Sequence, residues 1–333
     1  MQCVISVLLF LVITISNAQI VFHGETMGTD YKIKIIDNLD RITDHSHLNN
    51  QIDSILQNIN LRFSNYIDTS EISLFNRTLS MDPIVVSSDL FNLVLKSKYI
   101  FETSNGSFDI TINPLLELWG FNHSFKTFNI PDSLVIDSVK QYVNSNKLIL
   151  NNNTIQKKDP NIQINLNAIA KGWAVDKISK FLKSKEIYNH MIEIGGEIYV
   201  SGFNKEQKSW NIGIRNPDLD GNFILYTIQI SNKAVANSGA YLNYFSLNNL
   251  NYTHLINPQS GYPIKHDLIS AIVIANDCTT ADAFATALMI KGFDNGLKWI
   301  NTISNIECML VAKQTNGQYT IAKSNGFHYE LNE

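Results

Sequence analysis

Cysteine is scarce in this chain, with three residues in 333, at positions 3, 278 and 308. That is too few for a disulfide-stapled miniature domain, and no two stand in a Cys-x-x-Cys or zinc-ligand spacing. Cys278 and Cys308 can pair in an oxidising compartment, but two buried free thiols are the commoner outcome for such residues. Seven Pro and sixteen Gly leave neither a collagen repeat nor a long flexible linker. Positive charge is thin as well. There are 26 Lys and Arg against 30 Asp and Glu, a formal net charge of −4 and no basic block. Without clustered cations to neutralise a phosphate backbone, a general nucleic-acid binder is excluded. Also missing are a G-x-G-x-x-G opening a helix, a G-x-x-x-x-G-K-[ST] loop, H-E-x-x-H and a G-x-S-x-G elbow. Dinucleotide-binding dehydrogenases, P-loop NTPases, zincins and α/β-hydrolases lose their main signatures. The eight His are scattered, and His45-x-His47 reads as solvated rather than metal-bound.

What is present is a large apolar inventory. Hydrophobic residues make up 44%, enough to offset chain entropy and to fill one large or two modest domains at ~150 residues each. Val4 to Ile15 is apolar apart from Ser6 and Thr14, and Ser16-Asn17-Ala18 follows. This run of about twelve is short of the roughly 20 residues a membrane span needs. The small-x-small triplet is a cleavage pattern, so residues 1–18 read as a secretory signal peptide, although no Lys or Arg precedes the run. Cys3 lies too near the start to be a lipidated cysteine. The expectation is an exported protein, periplasmic or in the cell envelope, with one catalytic unit over 19–333.

Periodicity predicts a strand over Tyr31 to Ile36 and helices over His47 to Phe63, Asp89 to Glu102 and Ala168 to Lys183. A hairpin is expected from Leu148 to Gln156. Short apolar strands follow at Met191 to Ile194, Glu197 to Val200, Trp210 to Ile214, Phe223 to Ile230, Lys233 to Ala236 and Ile269 to Ala275. Thr279 or Thr280 is placed to cap a helix running to Lys291, a further helix surrounds Asn295 to Asn301, and a hairpin over Glu307 to Ala322 closes the chain. Antiparallel runs with interspersed helices imply an α+β fold, largely antiparallel sheets with packed helices, in two lobes around one cleft.

Four segments carry chemistry. In Thr279 to Leu288, Asp282 and Thr286 are four apart, so a helix sets a carboxylate and a hydroxyl on one face, an oxygen-only pair suited to Mg²⁺. The bland alternative is an acid near a helix start and a Thr bonded back to its own backbone. Asn165 to Asp176 joins a strand end to a helix start, where free N–H groups and Lys171 suit a phosphate, or where Lys171 is merely solvated and Gly172 serves close packing. Gly106 to Phe121 packs aromatics and polar groups into an irregular stretch that suits a flat heteroaromatic ligand, or a structural loop equally well. Met27-Gly28-Thr29, Ser64-Asn65-Tyr66 and Ser238-Gly239-Ala240-Tyr241 are similar turns. Thr253 to Gly261 places His254 on an apparent strand before an Asn-Pro turn, a position for a general base or for a structural His.

In this order the segments resemble the ApbE family of FAD:protein FMN transferases. Its members carry M-G-T, S-x-Y, F-D-x-T-x-x-P-L-x-x-x-W-G-F, D-L-x-x-x-A-K-G-x-x-x-D, G-G-E, S-G-x-Y, H-x-x-D-P-x-T-G and A-D-A-x-x-T. The resemblance implies that Mg²⁺ is held by Asp282, Thr286 and the backbone carbonyl of Ala168. It implies that Met27, Tyr66, Ser107, Phe108, Asp109, Asn165, Lys171 and Ile256 line the FAD site, with His254 as base and Lys171 at the phosphate. Asn165 and Asn257 stand where the family has Asp, Ser260 where it has Thr, and Ala285 where some relatives have a second acid. The implied activity is Mg²⁺-dependent transfer of FMN from FAD to a Thr or Ser of an exported acceptor, a membrane-associated electron-transfer subunit, with AMP released. The same residues would serve an FAD pyrophosphatase giving FMN and AMP, and an inert metal pair would leave a non-enzymic flavin-binding protein.

Overall fold

The computed structural model describes residues 18–37, 44–121, 130–215, 224–239, 244–247, 250–314 and 316–327. Residues 1–17 of the expected signal peptide, Cys3 among them, and Phe223, Ala240 and Tyr241 lie outside them. The chain opens with a hairpin, β1 (Ala18–Thr26) and β2 (Thr29–Asp37). Next come α1 (His45–Phe63), α2 (Glu71–Arg77), β3 (Ile84–Val85), α3 (Ser88–Thr103), α4 (Asn113–Leu118), α5 (Ser133–Lys140), β4 (Leu148–Asn151), β5 (Thr154–Lys157) and α6 (Ala170–Ser184). The second half holds β6 (His190–Ile194), β7 (Glu197–Ser201), β8 (Trp210–Arg215), β9 (Ile224–Ile230), β10 (Lys233–Gly239), β11 (Tyr244–Leu247), β12 (Leu250–Thr253) and β13 (Leu268–Ala275). The last elements are α7 (Cys278–Lys291), α8 (Phe293–Ile300), β14 (Glu307–Lys313) and β15 (Tyr319–Lys323).

Eight strands form one sheet in the order β1-β2-β6-β7-β10-β13-β14-β15, with every neighbouring pair antiparallel. Successive side chains on a strand point to opposite faces, and both faces here are covered. Ala234, Ala236, Ala271, Val273, Cys308 and Leu310 turn to the helical side. Val235, Ile272, Ile274, Met309 and Val311 turn to the other, where the β8–β9 hairpin closes over them with Trp210, Ile212 and Ile228. Burial on both faces is why these strands read as continuous apolar runs. The main core continues from the sheet through α1, α2, α3 and β5, so the two sides of the cleft share one core. Cys278 and Cys308 are buried free thiols.

The architecture is the expected α+β. Three local expectations are corrected. The stretch from Gly106 to Phe121 is not all irregular, since it contains α4. Six residues are too few for a helical period to show. No strand runs into α6 at Asn165, since residues 158–169 form none. Ile162, Ile164 and Leu166 are all buried and alternate as a strand would, but the Asn76 amide takes the place of a neighbouring strand. It donates to the Ile164 carbonyl and accepts the Ile164 N–H, both at 2.8 Å. The cap of α7 is Asp277, which accepts the Thr280 N–H and the Thr280 hydroxyl at 2.7 Å each. Thr279 and Thr280 thus sit inside the first turn rather than before it.

Candidate active site

The site begins where α6 meets α7. Gly172 lets them touch: a β-carbon there would stand 2.4 Å from the Cys278 carbonyl oxygen and 2.9 Å from Asp282 Cβ. Each helix then supplies a carboxylate to the other's first-turn N–H groups. Asp282 Oδ2 of α7 accepts from Gly172 N at 3.0 Å. Asp176 of α6 accepts from Cys278 N and Thr279 N, both at 2.8 Å, and from the Thr279 hydroxyl at 2.5 Å. Burial pushes the Asp176 carboxyl up to about 6, even with these donors opposing it. Such groups have no partner within their own helix, and the dipole favours negative charge near them. Small residues on both sides, Ala283 and Ala287 of α7 against Ala234 and Ala236 of β10, bring the helix close to the sheet.

Above this junction lies a cleft of about 760 Å³. Its lining includes Tyr66, Ser107, Phe108, Asp109, Asn165, Ala168, Lys171, His254, Ile256, Asp282 and Thr286. Met27, the remaining residue singled out in the sequence, does not line it. It forms the β1–β2 turn with Gly28, both at positive φ (51° and 72°), and packs on the main core. Next to that turn, Thr29 touches Gly195 on the cleft wall.

Several lining groups are already engaged. Asp109 is buried and accepts from the Thr111 N–H (2.8 Å) and hydroxyl (2.6 Å) and from the Ser145 N–H (3.2 Å) and hydroxyl (2.6 Å). Burial raises its pKa against these four donors. The carboxylate therefore ties the turn that follows Phe108 to the segment at Ser145. Asn165 donates to Asn113 Oδ1 at 3.1 Å and accepts the Asn167 N–H at 3.0 Å, so this position acts through an amide donor and not through charge. His254 is half-buried just after β12, its ring edge-on to Phe121 with centroids 6.5 Å apart. Tyr66 stands at the rim, 60% exposed.

Deep in the cleft one cation meets two acids. Lys171 Nζ lies 3.3 Å from Glu197 Oε1. Burial alone would lower the Lys171 pKa, but the Asp282 and Glu197 carboxylates outweigh it and hold the ammonium above its ordinary value. One ammonium compensates one carboxylate, so burial and the like-charged Asp282 push the Glu197 carboxyl up. Lys171 is therefore ion-paired, not solvated. In the sequence Glu197 stood out only as the acid of the G-G-E island and the first residue of a strand, with no role attached to it. Among the described residues, no group of three or more His, Cys, Asp or Glu is gathered as a metal cage. The oxygens at Asp282 and Thr286 are one carboxylate and one neutral hydroxyl.

The ApbE family profile matches residues 27–310. The chain belongs to the ApbE family. A Vibrio cholerae relative named FAD:protein FMN transferase is 34% identical over 306 residues, which are 92% of this chain and 91% of that one. Among solved structures, the flavin transferase ApbE from Vibrio cholerae superposes with a TM-score of 0.85 at 32% identity, covering 93% of this chain and 98% of the other. The Pseudomonas stutzeri flavinyl transferase ApbE, in its apo form, gives a TM-score of 0.85 at 27% identity, over 93% and 96%. These likenesses span nearly the whole chain, so the ApbE fold accounts for both sides of the cleft.

Proposed function

We propose that this chain transfers the FMN portion of FAD to a Thr or Ser hydroxyl of an acceptor protein, releasing AMP. The observation that carries the reading is that one cleft gathers Asp282 and Thr286, Ala168, the Lys171 ammonium and the His254 imidazole, the parts that metal-assisted phosphoryl transfer needs. The FAD:protein FMN transferase from Vibrio cholerae points to the same reaction.

The residues present fit Mg²⁺. Asp282 Oδ1 takes no hydrogen bond among the described residues, and the Thr286 hydroxyl does not bond back to its preceding turn as Thr78 and Thr103 do. Unused hard oxygens one turn apart suit an ion that takes oxygen ligands and fills its shell with water and phosphate. Asp282, Thr286 and the Ala168 carbonyl would hold it, and when bound it neutralises charge on the pyrophosphate. The protein's own groups do the rest. Phe108, Phe121 and Ile256 wall the flavin, and Lys171 steadies the phosphate. His254 takes the proton of the attacking hydroxyl as its oxygen bonds to the FMN phosphorus, and the bond to the bridging oxygen breaks, that oxygen leaving with AMP. The leader-like run through residue 18 supports an exported, periplasmic acceptor, and we take it to be a membrane-associated electron-transfer subunit.

The test is incubation of the purified chain with FAD, Mg²⁺ and candidate acceptors, followed by intact mass spectrometry. An acceptor heavier by one phosphoester-linked FMN, with AMP released, is expected. Asp282→Ala is expected to slow transfer at least ~100-fold, because charge stabilisation by a metal is worth several kcal/mol and ~1.4 kcal/mol is tenfold. Free FMN with no labelled protein across several acceptors would make the chain a pyrophosphatase. Equal turnover with and without Asp282 would overturn the site assignment.

A further inference from the structure

Glu197 is an ionisable residue of the cleft that the reading above leaves without a task. It is 3% exposed and opens β7 directly after Gly195 and Gly196, both at positive φ (61° and 103°). Register pairs it with Ile194 across that turn, so the hairpin fixes where its carboxyl can point. A β-carbon at Gly195 would stand 2.8 Å from Thr29 Cγ2 and 3.3 Å from Lys171 Cδ. The turn thus lies against the lysine stem while Glu197 Oε1 meets the lysine head at 3.3 Å. Its other oxygen, Oε2, is buried with no hydrogen-bond partner. Burying an acid with one oxygen unpartnered is costly even beside a lysine, and a packing role would be filled more cheaply by Gln or Leu.

We propose that Glu197 is a positioning residue: it holds the Lys171 ammonium on the β7 side of the cleft and so keeps it from closing onto Asp282, leaving Asp282 Oδ1 free for the metal. The proposal rests on the transferase reading above. With the Glu197 charge gone, Asp282 becomes, among the described residues, the one carboxylate acting on Lys171. Lysine and Mg²⁺ then compete for the same oxygen. Glu197 therefore acts on metal binding through Lys171, not as a ligand.

The readout is thermal stabilisation of the full chain by Mg²⁺ alone, without FAD, in a double-mutant cycle. Glu197→Gln is expected to raise the Mg²⁺ concentration for half-maximal stabilisation about tenfold, with Glu197→Asp, which keeps the charge, recovering most of it. In a Lys171→Met background the Gln substitution is expected to change that concentration less than twofold. Equal effects in both backgrounds would mean that Glu197 acts directly on the metal, which overturns the proposal. So would a Glu197→Gln chain indistinguishable from the parent. Metal-free melting of each variant checks folding. If the single Gln variant does not fold, Glu197→Leu takes its place in the same cycle: it must weaken Mg²⁺ binding only where Lys171 is present. Flavin transfer by the unmodified chain is measured in parallel. Its absence would remove the transferase reading, whereas transfer with a flat cycle would remove only the role of Glu197.

Discussion

At the scale of single residues, Gly172 decides whether the two halves of the site can meet. Any side chain there drives a carbon into the Cys278 carbonyl and against Asp282. Gly172→Ala is expected to lower stability by ~1–3 kcal/mol, the usual cost of overpacking, in urea unfolding. It should also break the 3.0 Å bond that orients Asp282, so transfer should fall further than stability explains. The sequence offered close packing as one reading of Gly172, and that is its role. Asp282 and Thr286 were legible because a four-residue interval on a helix fixes a shared face. The state of Lys171 was not, because its partner, Glu197, sits 26 positions away in the chain and is brought in by a hairpin from the sheet. Nor was the amide role of Asn165, which depends on Asn113 from a different segment.

At the scale of elements, α6 and α7 cap each other, and the caps carry a pH dependence. Asp176 has its folded pKa raised to about 6 from an ordinary 3.8. Between those values the native state binds more protons than the unfolded chain, so stability falls as pH rises through the window and levels off above it. Asp176→Asn is expected to flatten that part of the profile, and to cost ~1 kcal/mol at pH 5 through a weakened cap. Urea unfolding of both chains from pH 4 to pH 7 checks it: a difference that stays constant across the window would show that Asp176 titrates normally. The long elements α1, α3 and α6 were readable because three or more turns repeat their apolar face, whereas α7, buried almost all round, was readable from the residues at its two ends. Short elements such as α2, with seven residues, and α4, with six, are set by caps and tertiary contacts that no local period reveals. Likewise the stretch before α6 alternates as a strand does, but its neighbour is a single side chain, Asn76, supplied by a distant segment that no local pattern reveals.

At the scale of the whole molecule, the sheet ties the site to the C-terminal elements. Its order runs β1-β2-β6-β7-β10-β13-β14-β15, and α7 fills the core beneath the cleft with Phe284, Leu288 and Met289. A chain ending at residue 276 loses α7, the β14 partner of β13 and both proposed metal side chains. It is expected to unfold without a cooperative transition by circular dichroism, and to leave FAD fluorescence unchanged. The α+β class was legible from the alternation of short apolar runs with helical stripes. The strand order was not, since which runs lie side by side depends on crossovers over α6 and α7 that no local pattern encodes. The α6–α7 contact has a further consequence, in the timing of synthesis. The Gly172–Asp282 bond joins positions 110 residues apart, and contacts of such long sequence separation form late, after the entropy of closing the intervening loop has been met. A chain emerging N-terminus first holds Lys171 and Glu197 long before it holds Asp282. A nascent chain therefore holds one lysine balanced by one glutamate but no finished pocket, and the cleft we propose for the flavin nucleotide is complete only once α7 has been made.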